Sequence, residues 1–476
     1  MDIESEKYLS AIFLKKIAGR TSFLVAGKII RLAVQLLVII LFSRKFSYHD
    51  YGLYQTAWLY VNIASVISLF GFPSLLLSAS SRHIFSWVRL HKKLVAGIGL
   101  LLNIAPLVFV FFAAKGFTSV EKICLIYLII AQNCSLILEA VAIKNEREKH
   151  VIISNIVFGA GFFLANWAML AGYVSFTGLF SIIGSCFLLK TLILFRSGKL
   201  SLQQNEEITP ATTGRQWLYL GLNDTASVAT AWVDKWIILI LLSVSDFAVY
   251  FNGAYEIPVF GIILGAAGNI MVVEFSKKHE NLTKKITDIS KTATIFLSSL
   301  ILPAFCFFLF YNREFFLLIF SEKYLLSLPV FIISIFILPV RITYATAVLQ
   351  AYNRSDLILK GTLIDLTVSV CLMLILYNVM GMTGLALSFV ISTYVQTGFY
   401  LWKTAALINC SISDILPVKS IGKIFIISLA ATAAGSVLSR YFLQDHIIVP
   451  GIVVCMLLIS VISFYHYKVS LRAKSH

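Results

Sequence analysis

Apolar runs of about 20 residues recur along almost the whole chain, separated by short polar loops, a spacing that predicts membrane-spanning helices. About fourteen such runs stand out, near 22–43, 52–72, 94–114, 120–142, 151–172, 175–195, 216–242, 247–273, 292–311, 325–349, 358–378, 382–402, 423–439 and 447–467. An outer-membrane barrel needs segments of roughly 10 residues alternating in polarity, and these are absent. The expected fold class is an all-α polytopic membrane protein. Residues 1–20 carry mixed charges and no cleavage site after a short apolar core, so they do not read as a signal peptide.

The polar turn that follows the first run, Ser47-Tyr48-His49-Asp50-Tyr51-Gly52-Leu53-Tyr54, returns 196 positions later as Ser243-Val244-Ser245-Asp246-Phe247-Ala248-Val249-Tyr250. Farther on, LEAVAIKNER (Leu138 to Arg147) matches TAVLQAYNR (Thr346 to Arg354), pairing Asn145 with Asn353 at a spacing of 208. Thr177-Gly178-Leu179 matches Thr383-Gly384-Leu385 at 206. Three matches in order at nearly constant spacing predict two related halves of six spans. The polar stretch 197–213 reads as the linker between them. The expected division is therefore 1–212, an amino-terminal six-helix lobe with tail and linker; 213–405, a second six-helix lobe; and 406–476, two additional helices.

Composition agrees: the 476 residues are 59% hydrophobic and 13% charged, with mean hydropathy +0.88. The net charge of +16 becomes a topology signal in such a chain. With the amino terminus in the cytoplasm, roughly 28 Lys/Arg fall on the cytoplasmic side and about 7 outside, which predicts that both termini are cytoplasmic. The seven cysteines are scattered without a CxxC and read as apolar packing. Histidines form no ligand cluster, and there is no phosphate-binding loop, HExxH or nucleophile elbow. No enzyme activity and no cofactor is expected.

Charges inside the spans carry the functional signal, because an ionisable group at mid-bilayer costs at least about 2.5–3.5 kcal/mol on insertion scales. Lys28, Arg31 and Gln35 share one helical face of the first run. Lys28, one turn inside the boundary, reads either as snorkelling or as lining a cavity; Arg31 is deeper. The 196-residue shift places Asp224 on Lys28 and Ser227 on Arg31. Asp234 and Lys235, being adjacent, diverge by about 100° on a helix, so they are not expected simply to neutralise each other and at least one should find another partner. Trp232 and Trp236 beside them read as packing or as a sugar-stacking surface. Arg341 follows Pro339 in the tenth run, Asp365 sits in the eleventh with Thr362 and Ser369 on its face, and Glu256 precedes Pro258 in the eighth. Arg341 with Asp365 reads either as a structural pair or as two separate functional charges. Several cations facing a cavity between the halves favour an anionic ligand, with acids left over for an ion.

The segments GKIIRLAVQLLVIILFSRKFSYHDYGLYQTAWLYVNIASVISLFGFPSLLL, VDKWIILILLSVSDFAVYFNGAYEIP and LQAYNRSDLILKGTLIDLTVSVCLMLILYNVMGMTGLALSFVIS resemble polysaccharide biosynthesis proteins of the multidrug/oligosaccharidyl-lipid/polysaccharide (MOP) exporter superfamily, with O-antigen flippases of the Wzx type as the most similar branch. The resemblance covers most of residues 20–405. It implies a MATE-like, V-shaped two-lobe bundle with a cationic cavity, which flips undecaprenyl-diphosphate-linked oligosaccharide from the cytoplasmic to the periplasmic leaflet of the bacterial inner membrane by alternating access. On that reading Lys28, Arg31, Lys235 and Arg341 bind substrate, and Asp224, Asp234, Glu256 and Asp365 are cavity or coupling acids. The implied partners are the lipid-linked glycan, membrane lipids, a coupling H+ or Na+, and a polysaccharide polymerase and chain-length regulator. Peptidoglycan-precursor flippases of the superfamily carry more arginines in the first two spans, and drug exporters an acid in the first span; this chain has neither. Two rivals remain: an ion-coupled exporter of drugs or small metabolites on the same fold, and a non-transporting scaffold of the assembly machinery.

Overall fold

The computed structural model describes residues 33–78, 81–145, 147–195, 210–255, 257–275, 282–352, 354–442 and 447–472. Among them every regular element is a helix, and ten helices are long and apolar enough to cross a membrane. In lipid every backbone polar group must be satisfied within the protein, which is why so apolar a chain is helical. Large aliphatic and aromatic side chains stand exposed on these helices, as expected of a lipid-facing surface. The chain is a multi-pass membrane protein.

Two compact units divide between Val228 and Ala229. The first contains α1 (33–45), α2 (Tyr48–Leu69), α3 (Phe72–Ser78), α4 (Ser81–Leu90), α5 (Lys92–Ala113), α6 (Ser119–Lys144), α7 (Glu148–Leu170) and α8 (Phe176–Phe195), with the start of α9 (Pro210–Leu241). α6 opens with a capping box, Thr118 with Glu121, that satisfies two amides at its start. α2 stops where Phe70 and Gly71 take positive φ; a Cβ on Gly71 would lie 2.5 Å from the Gly221 backbone nitrogen, so only glycine lets α9 pass there.

The second unit contains the rest of α9, then α10 (Val244–Gly253), α11 (Pro258–Phe275), α12 (Leu282–Phe310), α13 (Asn312–Ile319), α14 (Leu328–Ser334), α15 (Ala347–Ala351), α16 (Ser355–Met380), α17 (Met382–Leu407), α18 (Ile412–Ile415), α19 (Val418–Phe442) and α20 (Ile448–Arg472). α19 and α20 pack on α12 through Leu302, Ile424 and Ile462, and Tyr311 at the end of α12 sits against Gly451 with its hydroxyl 3.3 Å from Ser439.

The sequence repeat is a repeat of local structure. Ser47 caps α2 and Ser243 caps α10, each accepting from the amide three residues on, Asp50 and Asp246, at 3.0 and 3.1 Å. Each serine hydroxyl also donates to that aspartate, at 2.6 and 2.7 Å. Arg147 and Arg354 occupy matching corners: their amides donate to Ala142 and Leu349 carbonyls at 2.9 and 2.8 Å, and each precedes a long helix. α8 and α17 both begin one residue before the shared Thr-Gly-Leu.

Two runs expected to be single spans are interrupted. The run 247–273 breaks after Gly253 and resumes at Pro258. The run 325–349 is a 3-10 turn (Glu322–Ser327), α14, a second 3-10 stretch (Ile335–Ile342) holding Pro339, an extended Thr343, and α15. Proline removes a backbone donor and its ring crowds the preceding turn, so both interruptions lie beside one.

Candidate functional site

Four of the described charges flagged from sequence, Asp234, Lys235, Arg341 and Asp365, gather in the second unit along one stretch of α17. Asp234, 1% exposed, is held from two sides. Tyr250 donates its hydroxyl to Asp234 Oδ2 at 2.8 Å, and Lys235 Nζ lies 3.1 and 3.0 Å from the two carboxylate oxygens. This corrects the expectation that the adjacent pair could not neutralise itself: their Cα positions diverge, but the four-carbon lysine stem folds back far enough to close the pair. The expected partner on another helix is also present, in Tyr250. Lys235 Nζ further faces the Trp232 and Phe389 rings, 5.7 and 5.9 Å from their centroids. A charge pair wrapped by aromatic rings is stabilised without being fully dried, since Lys235 retains some exposure. Trp232 also packs on Phe251 across to α10, so packing is one of its roles.

One turn along α17 from Phe389, Ser392 faces Asp365. Asp365 is buried in α16 with Thr362 and Ser369 on the same face, and its Oδ1 has no hydrogen-bond partner among the described residues. The Arg341 guanidinium is near enough to act on it electrostatically, yet among the ion pairs of the described residues none joins the two. Tyr394 of α17 donates to the Phe336 carbonyl at 3.0 Å, tying α17 to the 3-10 stretch that carries Arg341. Arg341 lines a cleft of about 30 Å³ with Tyr255, Ser334 and Leu338, set between the two interrupted helices. That volume suits about one water, not a sugar. Discontinuous helices free backbone carbonyls and amides inside the bilayer, an arrangement that membrane proteins use to line sites.

Asp224 lies in the first unit and accepts from Ser74 Oγ at 2.8 Å. Lys28, Arg31 and Glu256 lie outside the described residues.

Sequence reasoning missed two things. α17 supplies the shared wall, signalled only by Ser388, Ser392 and Thr393 in an apolar helix. Lys190 was not singled out, but it is 1% exposed and fully committed: its Nζ is 2.6 Å from Glu139 Oε2 and 2.9 Å from Asn155 Oδ1, with the Phe158 ring at 5.8 Å. It joins α6, α7 and α8.

No protein-family model and no curated protein sequence matches the chain. Solved structures do. A structure described as lipid II flippase MurJ in an inward closed conformation superposes with TM-score 0.63 at 14% identity, covering 94% of this chain and 99% of that one. An outward-facing multidrug resistance MATE family transporter of the MOP superfamily gives 0.58 at 13% identity, over 82% and 95%. A MOP superfamily transporter from Pyrococcus furiosus, titled for the reversed polarity of its binding pocket, gives 0.51 at 12% identity, over 82% and 95%. The chain therefore has the fold of the MOP superfamily transporters. The larger share matched by the flippase exceeds the others by about the length of the closing pair α19–α20.

Proposed function

We propose that this chain is a flippase for lipid-linked oligosaccharide, moving an undecaprenyl-diphosphate-linked repeat unit, such as that of O-antigen, from the cytoplasmic to the periplasmic leaflet of the bacterial inner membrane, with both termini cytoplasmic. The observation that carries it is a MOP fold matched over 94% of the chain by a lipid flippase, in a chain whose spans hold cations. Lys28, Arg31, Lys235 and Arg341 attract the diphosphate, where low dielectric strengthens each contact. Asp234 and Asp365, and with them Asp224 and Glu256, are the acids available to a coupling H+ or Na+. Supporting that role, Asp365 Oδ1 is buried without a hydrogen-bond partner, beside the interrupted helices.

The test is the lipid-linked oligosaccharide pool of a deletion strain, with leaflet assigned by an external glycan-modifying enzyme. The reading expects accumulation on the cytoplasmic leaflet, relieved by the wild-type gene; Arg31→Ala fails to relieve it and Arg31→Lys does so in part. A normal pool with altered drug susceptibility favours the exporter reading, which the MATE likeness also supports.

A further inference from the structure

α5 and α12 are the third long helices of the two repeats, and each carries an internal proline, Pro106 and Pro303. Their surroundings are opposite. Of the ten apolar helices α12 is the most buried and α5 the least. The closing pair makes that difference: Ser299 Oγ of α12 meets Ser463 Oγ of α20 at 3.1 Å, and the α12 residues Thr294, Ser298 and Ser299 are all buried. Small hydroxyl residues let helix backbones come close. Counting back from each proline, Leu101 and Leu102 of α5 stand where α12 has Ser298 and Ser299. A face of branched, bulky side chains holds a second helix off and suits flexible hydrocarbon chains.

That face is not flat. Ile104, Leu107, Val108, Phe111 and Phe112 of α5, with Ile126 of α6, line an open apolar groove of about 230 Å³. One end of it is cationic. Lys122 Nζ stands 5.7 Å from the centroid of the Phe111 ring that walls the groove, and Lys115 is exposed in the turn joining α5 to α6. The neighbouring acid, Glu121, is occupied as the acceptor of the Thr118 amide and hydroxyl at 2.8 and 2.9 Å. An apolar channel ending in lysine is complementary to an amphiphile with a hydrocarbon chain and a phosphate.

We propose that the α5–α6 groove binds an anionic phospholipid, one acyl chain lying along Leu107 and Val108 and the phosphate resting on Lys122. The site belongs to the first unit alone and does not depend on what the protein transports.

Native mass spectrometry of the full-length protein, titrated with phosphatidylglycerol and with phosphatidylcholine, tests it. The wild type should retain phosphatidylglycerol preferentially. Lys122→Gln should weaken that retention about five-fold while leaving phosphatidylcholine unchanged, the effect of one lysine on an anionic headgroup. Val108→Trp, which fills the groove from its exposed side, should displace both lipids. A diazirine placed on the acyl chain of phosphatidylglycerol should label the 104–126 segment in the wild type and lose that labelling in Val108→Trp. Equal retention of the two lipids by the wild type, unchanged affinity in Lys122→Gln, or labelling that survives Val108→Trp would each overturn the proposal. So would preferential retention of a prenyl diphosphate over phosphatidylglycerol, which would give the groove to another lipid.

Discussion

Tyr54 and Tyr250 occupy the same place in the two repeats, and both are buried. Tyr54 meets the Phe42 ring edge-on at 4.6 Å, whereas Tyr250 donates a hydrogen bond to Asp234. The 196-residue shift maps Asp234 and Lys235 onto Val38 and Ile39, so the first unit has no charge pair there. Conversely Lys190 maps onto Gln396, and Glu139 onto Ala347, at spacings of 206 and 208. The Lys190–Glu139 and Asp234–Lys235 pairs sit at non-equivalent positions. The helices diverge the same way. α2 and α6 run unbroken, while their counterparts in the second unit are interrupted beside Pro258 and Pro339, which map onto Asn62 and Ala131. The two repeats share the caps and corners that make helices start and turn. They do not share charge or helix continuity, and these are the features from which a site is built.

The largest expected effect comes from separating the first unit's pair. Lys190→Ala takes the lysine from the largely buried Glu139 carboxylate and should lower stability by about 3 kcal/mol. Lys190→Met combined with Glu139→Leu should restore most of it, as read from thermal unfolding in detergent; a double variant as unstable as the single one would break the assignment of a pair. Next, Tyr250→Phe removes a hydrogen bond to a charged group, worth about 1.5–3 kcal/mol. It should also reduce translocation, since it frees Asp234 from one of its two restraints; unchanged transport would make Tyr250 a packing residue like Tyr54.

Smaller still are the caps. Ser47→Ala and Ser243→Ala should each cost about 1 kcal/mol, and by similar amounts, because the two caps share their geometry. A several-fold inequality would show that the repeat's local structure is not energetically conserved. The smallest effect concerns α18. Hydrogen bonds from Ser411 hold the exposed Asp414 carboxyl below the usual carboxylate range. A carboxyl depressed in the folded state stabilises it at neutral pH, and that contribution is lost as pH falls through the depressed value. Asp414→Asn should therefore be slightly less stable than wild type at pH 7, the difference shrinking below the ordinary Asp value of about 3.9 and vanishing only below the depressed one.

The helices and the repeated turns were legible because each rests on local information: run length for spans, and matched spacing for the turns. The acids Asp234 and Asp365 were legible as anomalies in apolar runs. Their arrangement was not. Pairing Asp234 with its own neighbour depends on how a long side chain folds back, which Cα geometry does not give. Lys190 was not legible because its burial depends on Glu139 and Asn155 lying on two other helices. α17 went unnoticed as a wall because serine and threonine in a span carry little signal until something faces them.

By itself the sequence determined a helical, membrane-spanning chain with recurring caps and corners, because the hydrophobic effect and backbone hydrogen bonding act on residues close along the chain. It also showed which spans carry charge. Only the tertiary structure decided which charges meet, which helices break, and that the closing pair covers α12 while α5 stays bare to lipid. Those outcomes depend on side chains far apart in sequence and brought together by packing.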